Sequence, residues 1–156
     1  MNEVRFDDID ALGTLVSDTF EPCGPTLEIT QEMIDQFAEL TGDQQWIHVD
    51  RERCARDTPL GKPIAHGFLV LSLITALTEG AEGQIVGFGQ AINYGSDQLR
   101  FQRPVPAGSE VHARRRVVHV RKKGIGGSQI TFETQVLVVG DDRPALTYRS
   151  IVVFLP

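Results

Sequence analysis

Two side chains that commonly exchange protons in enzymes, Asp43 and His48, lie five residues apart directly after Gly42. A carboxylate and an imidazole at this spacing can contact the same water molecule. Because histidine titrates near neutral pH, such a pair can take up a proton and return it under working conditions. Taken alone, this spacing is usually a loop carboxylate and a surface imidazole, so its surroundings must decide.

A second candidate group stands at the start of an apolar segment, in Ile64-Ala65-His66-Gly67. The N–H of Gly67 would add the positive end of a helix dipole to a hydrogen bond aimed at developing negative charge. Glycine also allows a ligand to approach the backbone closely. His66 is expected to brace the preceding loop through its ring nitrogens, with contact to a ligand as the alternative.

A short helix must position the Asp43 and His48 pair. The segment from Thr30 to Leu40 has a helical period of apolar residues, with Thr30 placed to cap it and Gly42 to end it. One or two further turns are expected in the charged stretch Asp50 to Asp57.

The central part of the fold is predicted to be a helix from His66 to about Glu79, which is apolar on nearly every side and should be packed all round. Five segments of strand length follow, separated by turn residues. In the fourth of them, apolar and polar residues alternate, which predicts a sheet with one buried face. The five are Ile85 to Tyr94, Asp97 to Gln102, Ser109 to Val120, Gln129 to Val139 and Ala145 to Leu155.

This order of elements predicts an α+β domain in which a curved antiparallel sheet wraps around a central buried helix. The 156 residues suit one domain with one core, and no linker or repeat divides them, so a single domain over 1–156 is expected.

Composition argues against several classes of function. The net charge of −6 disfavours nonspecific binding to nucleic acid or to an anionic membrane surface. The longest apolar stretch, Gly67 to Leu77, is too short to cross a bilayer. The acidic beginning of the chain lacks the features of a signal peptide, so a cytoplasmic location is expected.

The two cysteines, Cys23 and Cys54, have no CxxC spacing and are expected to be reduced thiols. A metal site built from His48, Asp50, Cys54 and His66 is conceivable by residue type, but the spacing fits no standard zinc pattern. We therefore expect no metal.

The stretch from Thr41 through Asp50, together with Ile64-Ala65-His66-Gly67, resembles the MaoC-like dehydratase family of hot-dog proteins, which includes (R)-specific enoyl-CoA hydratases. The resemblance continues through Asn93-Tyr94-Gly95 to Phe101 and the turn Pro104 to Gly108, so it covers most of the chain. Gln45-Trp46 departs from the Asn-Pro that is frequent in the family and is similar to the nodulation protein N branch.

This resemblance implies a hot-dog fold and the addition of water to a 2-enoyl thioester, or its removal from a 3-hydroxyacyl thioester. It places Asp43 and His48 at the catalytic positions and the N–H of Gly67 opposite the thioester carbonyl. Which of the two side chains is the base stays open. A helix serine of some hydratases corresponds to Thr75. No cofactor is implied, since coenzyme A belongs to the substrate.

Other residues are candidates for binding the substrate. Arg100, Arg103 and Lys62 could contact the phosphates of coenzyme A, or could be solvated charges. Trp46 could shape an acyl tunnel or anchor its loop in the core. Asn93, in Asn93-Tyr94-Gly95, could line the acyl pocket, or the three residues could form a bulge in a bent strand.

Two other functions stay open, because the fold alone does not fix the reaction. One is an acyl-CoA thioesterase, and the other is a noncatalytic binding module. The expected partners are an acyl-CoA thioester, with an acyl carrier protein as the alternative carrier, and a second copy of the chain in a homodimer.

Overall fold

A computed structural model of the chain describes residues 3–79, 85–124 and 126–156. Within these ranges the helices are α1 Ile9–Gly13, α2 Gln31–Thr41, α3 Trp46–Val49, α4 Arg51–Asp57, α5 Gly67–Ser72 and α6 Ile74–Leu77. The strands are β1 Val4–Arg5, β2 Leu27–Ile29, β3 Ile85–Val86, β4 Gln90–Phe101, β5 Ser109–Lys123, β6 Gly127–Val138 and β7 Leu146–Leu155.

Helix α2 begins and ends where its capping residues predict. The Thr30 hydroxyl accepts a hydrogen bond from the Met33 N–H at 3.2 Å. Gly42 follows the last turn with φ of 77°, a left-handed conformation that glycine adopts without steric cost. The turn at Gly42 directs the chain away from the helix axis, and α3 and α4 follow at once. The expected turns between Asp50 and Asp57 are confirmed as α4.

The main sheet has five strands in the order β2-β5-β6-β7-β4, and every neighbouring pair is antiparallel. The predicted α+β hot-dog architecture is confirmed. A separate two-stranded sheet pairs β1 with β3 in parallel. Both of its strands, like β2, are too short to show a hydrophobic period, and the sequence did not predict β1, β2 or α1.

The prediction of separate strands at Ile85 to Tyr94 and Asp97 to Gln102 is wrong. Strand β4 runs without interruption from Gln90 to Phe101 and pairs with β7 along its length. Its register shifts between Asn93 and Gly95, and again between Ser96 and Gln98. The polar interruption is therefore absorbed as bulges within one bent strand.

The prediction that β6 has one buried face is also wrong, because both faces are covered. Glu133, on the polar face, is only 7% exposed. Its carboxylate accepts hydrogen bonds from Arg116 at 2.9 Å and from Arg149 at 2.6 Å. The long arginine side chains shield the polar face, and their charges compensate the burial of the carboxylate.

The central helix differs most from its prediction. The segment predicted as one helix from His66 to Glu79 forms two short helices, α5 and α6, joined at Leu73. It is not packed all round, since Phe68 is 63% exposed and Ser72, Thr75 and Ala76 are exposed as well. The sheet of a single chain covers only the opposite side of α5, where Leu69 and Val70 are buried.

The apolar core divides into two clusters. The larger one joins α2, α5 and α6 to the sheet and includes Ile34, Leu69 and Leu146. The smaller one lies near the amino-terminal residues and includes Leu12 and Phe132.

None of the helices in the described ranges is both long and apolar enough to cross a membrane. Cys54 is buried and Cys23 exposed, both as free thiols, as predicted.

Candidate active site

The short helix α3 carries His48, and a side chain of α2 fixes its backbone. The amide nitrogen of Gln31 donates to the carbonyl of His48 and to the Asp35 carboxylate, each at 2.8 Å. Cys54 on α4 contacts the carbonyls of the first α3 turn through its thiol at 3.6 Å. The helix that bears the imidazole is thus held from both sides.

One hydrogen bond fixes the tautomer of His48. Its Nδ1 lies 2.7 Å from the carbonyl oxygen of Ile64. A carbonyl only accepts hydrogen bonds, so Nδ1 carries the proton. In the neutral ring, Nε2 therefore keeps its lone pair and is the nitrogen that can take a proton.

His66 lies against His48 and holds the loop that bears Asp43. The two imidazoles stack with their centroids 3.8 Å apart. His66 Nε2 is 3.0 Å from the carbonyl oxygen of Asp43, so by the same argument this nitrogen donates. Phe37 packs against the other side of the His66 ring at 5.0 Å. His66 braces the loop, and its contact with substrate stays a prediction.

The Asp43 carboxylate lies at the solvent side of the two imidazoles. Its side chain is 54% exposed, whereas His66 is only 3% exposed. One oxygen of the Asp43 carboxylate, one ring nitrogen of His48 and one ring nitrogen of His66 lie within 4.8 Å of one another. A single water molecule can therefore contact both the carboxylate and an imidazole, the geometry that acid–base chemistry needs.

Burial lowers the pKa of His48 from its ordinary value of 6.5, because the charged ring loses hydration. The neighbouring His66 lowers the same pKa further, while the Ile64 carbonyl and the Asp43 carboxylate raise it. Burial is the largest effect. At neutral pH, His48 is consequently a neutral imidazole with a free lone pair.

A cavity of about 390 Å³ opens beside these groups. His48 and Gly67 line it together with a mainly apolar wall that includes Phe68, Phe101 and Leu146. Gly67 is the first residue of α5, so its N–H has no acceptor within the helix. His48 and Gly67 thus line one cavity, whereas Asp43 is not part of its lining.

Gly67 cannot be replaced by a larger residue without moving a neighbour. A Cβ at this position would lie 2.7 Å from Cδ1 of Phe101, closer than a real Cβ contact. Phe101 in turn packs edge to face on Phe68 at 5.4 Å. The glycine thus lets the aromatic wall of the cavity approach the start of the helix.

Three predicted binding residues have other contacts in this structure. Trp46 lies outside the cavity lining, with the Arg53 guanidinium 4.1 Å from its ring centroid. Arg100 is exposed and donates to the Leu99 carbonyl. Arg103 lines the cavity but is paired with Asp141 at 3.2 Å. Trp46 is half-buried and belongs to neither core cluster, so its position supports neither a tunnel wall nor an anchor in the core.

The remaining two, Asn93 and Thr75, line a different cavity on the inner face of the sheet. Lys62 is exposed. The structure therefore brings together Asp43, His48, His66 and Gly67 and leaves Asn93 and Thr75 apart from them.

In the described ranges, the four residues considered from the sequence as a metal site do not form one cluster of possible ligands. The group of possible ligands in the described ranges consists of Asp43, His48 and His66, without Asp50 or Cys54. One nitrogen of each histidine already donates to a carbonyl. Metal-free chemistry stays a prediction.

Sequence reasoning missed three contributors to the site: the carbonyl of Ile64, the side chain of Gln31 and the ring of Phe101. Backbone acceptors leave no sequence signal of their own. Gln31 is one of several polar residues on α2, and only its distance to His48 distinguishes it. Phe101 belongs to the strand whose continuity was not predicted.

Comparisons with known proteins agree with this geometry. A family model described as MaoC like domain matches residues 21–141. The 3-hydroxyacyl-thioester dehydratase Z of Mycobacterium tuberculosis is 47% identical over 124 residues, which cover 80% of this chain and 81% of that protein. Nodulation protein N of Rhizobium leguminosarum is 39% identical over 127 residues, which cover 81% of this chain and 79% of that protein.

Among solved structures, an (R)-hydratase from A. caviae involved in PHA biosynthesis superposes with a TM-score of 0.68. It is 27% identical, and the match covers 90% of this chain and 98% of that one.

The pKa of His48 can be measured by NMR titration of its ring signals. We expect a pKa below 6.5, because burial outweighs the effects that raise it. We also expect the Nδ1-protonated tautomer, because Nδ1 donates to the Ile64 carbonyl. In Asp43→Asn the pKa of His48 should fall further, since a carboxylate that raises it is lost.

The lowered pKa of His48 also predicts a pH dependence of stability. The unfolded chain binds this proton more readily than the folded one, so the free energy of unfolding should decrease as pH falls below 6.5. A wild-type pKa above 6.5 would contradict this account.

Proposed function

The chain belongs to the MaoC-like domain family, and on this premise we propose that it adds water reversibly across the 2,3 double bond of an enoyl thioester. The observation that carries the proposal is the position of His48, which lines one cavity with Gly67 and has a ring nitrogen within 4.8 Å of an oxygen of the Asp43 carboxylate. An acid–base pair and an oxyanion donor are what hydration of a conjugated thioester requires.

The names of the relatives support this reaction class. One is a 3-hydroxyacyl-thioester dehydratase at 47% identity, and another is an (R)-hydratase at 27% identity. We therefore assign the protein to the hydro-lyases, with the (R)-3-hydroxyacyl thioester as the hydrated form.

In the forward direction, His48 Nε2 takes a proton from water while the water oxygen bonds to C3. The electrons of the double bond move toward the thioester, and the resulting enolate oxygen accepts a hydrogen bond from the Gly67 N–H. His48 then delivers its proton to C2 and the thioester carbonyl re-forms. One water is added, and the imidazole returns to its neutral state.

Asp43 assists without accepting the proton itself. Its carboxylate, close to both imidazoles, favours the transient imidazolium and accepts a hydrogen bond from the attacking water. The Ile64 carbonyl holds Nδ1–H throughout, so the ring does not need to reorient between proton uptake and return. This division of roles makes His48 the base.

The substrate is proposed to be an acyl-CoA thioester, with an acyl carrier protein as the alternative donor. Arg103, at the cavity lining, is the better candidate of the two arginines for a phosphate contact, because Arg100 lies outside that lining. No metal or redox cofactor is required by the proton chemistry. The cytoplasmic location stays a prediction.

The chain also presents a surface suited to a second copy. Strand β4 forms an edge of the sheet, and Ile92, Tyr94 and Phe101 on it are exposed. The exposed ring of Phe68 on α5 lies against Phe101, so the apolar surface continues to the cavity. An unpaired edge with large apolar side chains favours association. We propose a homodimer that covers this surface and the mouth of the cavity.

The proposed reaction is tested with crotonyl-CoA, whose absorbance decreases as the double bond is hydrated. We expect His48→Ala and Asp43→Asn each to lower kcat by about a hundredfold or more, in line with the loss of a general acid–base group. The controls are His119→Ala on β5 and Asp57→Asn on α4, which make the same changes on exposed positions away from the cavity.

Three results would contradict the assignment. Release of free thiol from an acyl-CoA without hydration would indicate a thioesterase. Unchanged activity in both site variants would show that the pair is not catalytic. If the wild type hydrates neither enoyl-CoA substrates nor enoyl groups linked to a carrier protein, a noncatalytic binding module would be favoured.

The oligomeric state is tested by light scattering on the purified protein. We expect about twice the 17.2 kDa of one chain. Replacing Tyr94 by Lys on the apolar edge should shift the mass toward one chain, because a charge would be buried at the interface. The same substitution at exposed Leu40 on α2 should leave the mass unchanged. A wild-type monomer at high concentration would refute the dimer.

A further inference from the structure

A second cavity, of about 660 Å³, lies between the central helices and the inner face of the sheet. One side is formed by residues of α5 and α6, and the other by residues of β4, β5, β6 and β7. The proton chemistry described above does not use this space. Its lining differs in character from the mainly apolar cavity beside His48.

A row of polar side chains crosses the inner face of the sheet at this point. Arg115 on β5 pairs in register with Thr134 on β6, and Thr134 pairs with Tyr148 on β7. Ser150, two residues further along β7, faces the same space. Inner-face positions on both sides of the row, such as Val117 and Val136, are buried apolar residues.

The polar row separates the two apolar clusters of the core. Val136 belongs to the larger cluster, and Val117 and Phe132 belong to the smaller one. A hot-dog sheet could join these clusters with apolar side chains at the intervening positions. Polar side chains at these inner-face positions stabilise the fold less than apolar ones would, since burying unpaired polar groups costs free energy.

The helix side of the cavity is polar as well. Ser72, Thr75 and Thr78, each of which carries a hydroxyl group, line it. The hydroxyls of Ser72 and Thr78 donate to carbonyls of their own helix at 2.7 and 2.9 Å, which leaves their lone pairs as acceptors. Apolar neighbours such as Ile74 and Phe132 complete a lining of mixed character.

Arg115 is the charged group of this cavity. Its Nε is buried and makes no hydrogen bond within the described part of the chain. The nearest carboxylate oxygen, on Glu21, lies 3.9 Å from that nitrogen, beyond hydrogen-bond distance. The guanidinium also lies over the ring of Phe132 at 5.1 Å. Arg115 is thus compensated in charge by Glu21, and its side chain is the charged group that a ligand in this cavity would meet.

The two cavities lie along the same helix and the same strand. Val70 lines the first and Leu71 the second, and on β7 Leu146 lines the first while Tyr148 lines the second. Within α5, five residues separate Gly67 from Ser72, which lines the second cavity, and this is about 8 Å at the rise of a helix. An acyl chain of medium length bound at Gly67 and directed along α5 would reach the polar row.

We propose that this second cavity binds the distal part of the acyl chain and selects chains that carry a neutral oxygen function, a hydroxyl or a carbonyl, remote from the thioester. The inference rests on the proposed function, because it assigns the substrate class of the same reaction. Arg115 and Tyr148 are the specificity-determining donors, and the apolar neighbours contact the methylene groups.

A neutral oxygen fits better than a terminal carboxylate. The Glu21 carboxylate already lies 3.9 Å from the Arg115 guanidinium, and a second carboxylate bound to the same guanidinium would be repelled by it. A hydroxyl or carbonyl oxygen can accept from the guanidinium without that repulsion. The hydroxyl groups on the helix side can also meet a ligand hydroxyl as acceptors.

The test compares three medium-chain 2-enoyl-CoA substrates of equal length: one unsubstituted, one with a hydroxyl or keto group near the far end, and one with a terminal carboxylate. For the wild type, kcat/KM with the neutral oxygenated substrate should exceed that with the unsubstituted one by on the order of tenfold, as one charge-assisted hydrogen bond supplies. Arg115→Met and Tyr148→Phe should each bring this ratio toward one.

The matched control is Arg114→Met. Arg114 is adjacent on β5 but faces the other side of the sheet, where it donates to Gln135 at 3.0 Å. This variant should keep the wild-type ratio. Because both substrates are assayed on one preparation, a loss of folded protein cancels from the ratio. Tyr148→Phe removes only a hydroxyl and keeps the test valid if Arg115→Met is unstable.

The outcomes separate this inference from the proposed function. Hydration of unsubstituted substrates with a wild-type ratio near one would overturn the inference alone. A ratio that survives both Arg115→Met and Tyr148→Phe would overturn it as well, and a clear preference for the carboxylate would refute the neutral assignment. If none of the substrates were hydrated, the proposed hydratase function itself would be contradicted.

Discussion

The hydrogen bond from His48 Nδ1 to the carbonyl of Ile64, at 2.7 Å, is the interaction on which the site depends. It determines which ring nitrogen carries a proton and therefore which one faces the reaction. The segment that supplies the carbonyl is held by the backbone: the Ile64 N–H donates to Ile47 at 3.0 Å and the Ala65 N–H to Val105 at 2.8 Å. The site loop is thus joined to both the α3 turn and the chain leading into β5.

The same bonds explain why a small domain can keep two imidazoles in contact with each other. With the ring centroids 3.8 Å apart, the neighbouring His66 disfavours a positive charge on His48. Burial lowers the pKa of His48 and favours the neutral state. The exposed carboxylate of Asp43 then stabilises a single added proton during the reaction, which connects the electrostatics of the resting site to its proposed chemistry.

Much of this was predictable because local sequence determines it. The capping of α2 by Thr30, its end at Gly42 and the presence of a strand at β6 depend on near neighbours along the chain. The catalytic candidates were named from a motif with several fixed positions. The continuity of β4 was not predictable, because a bulge at Asn93 to Gly95 and an interruption of the strand have the same local sequence signal. The exposure of Phe68 likewise depends on what lies beyond the chain, and an apolar residue has the same pattern whether it meets its own core or a partner.

In the proposed reaction, one neutral imidazole, oriented by Ile64, works beside the amide of Gly67 on a single thioester. A crystal structure with a saturated acyl-CoA, which keeps the thioester carbonyl but has no double bond to hydrate, measures this directly. We expect the acyl carbonyl oxygen to lie within hydrogen-bond distance of Gly67 N, and C3 to face His48 Nε2 across one water molecule. An acyl group bound with its carbonyl away from Gly67, or a His48 ring turned so that Nδ1 leaves the Ile64 carbonyl, would contradict it.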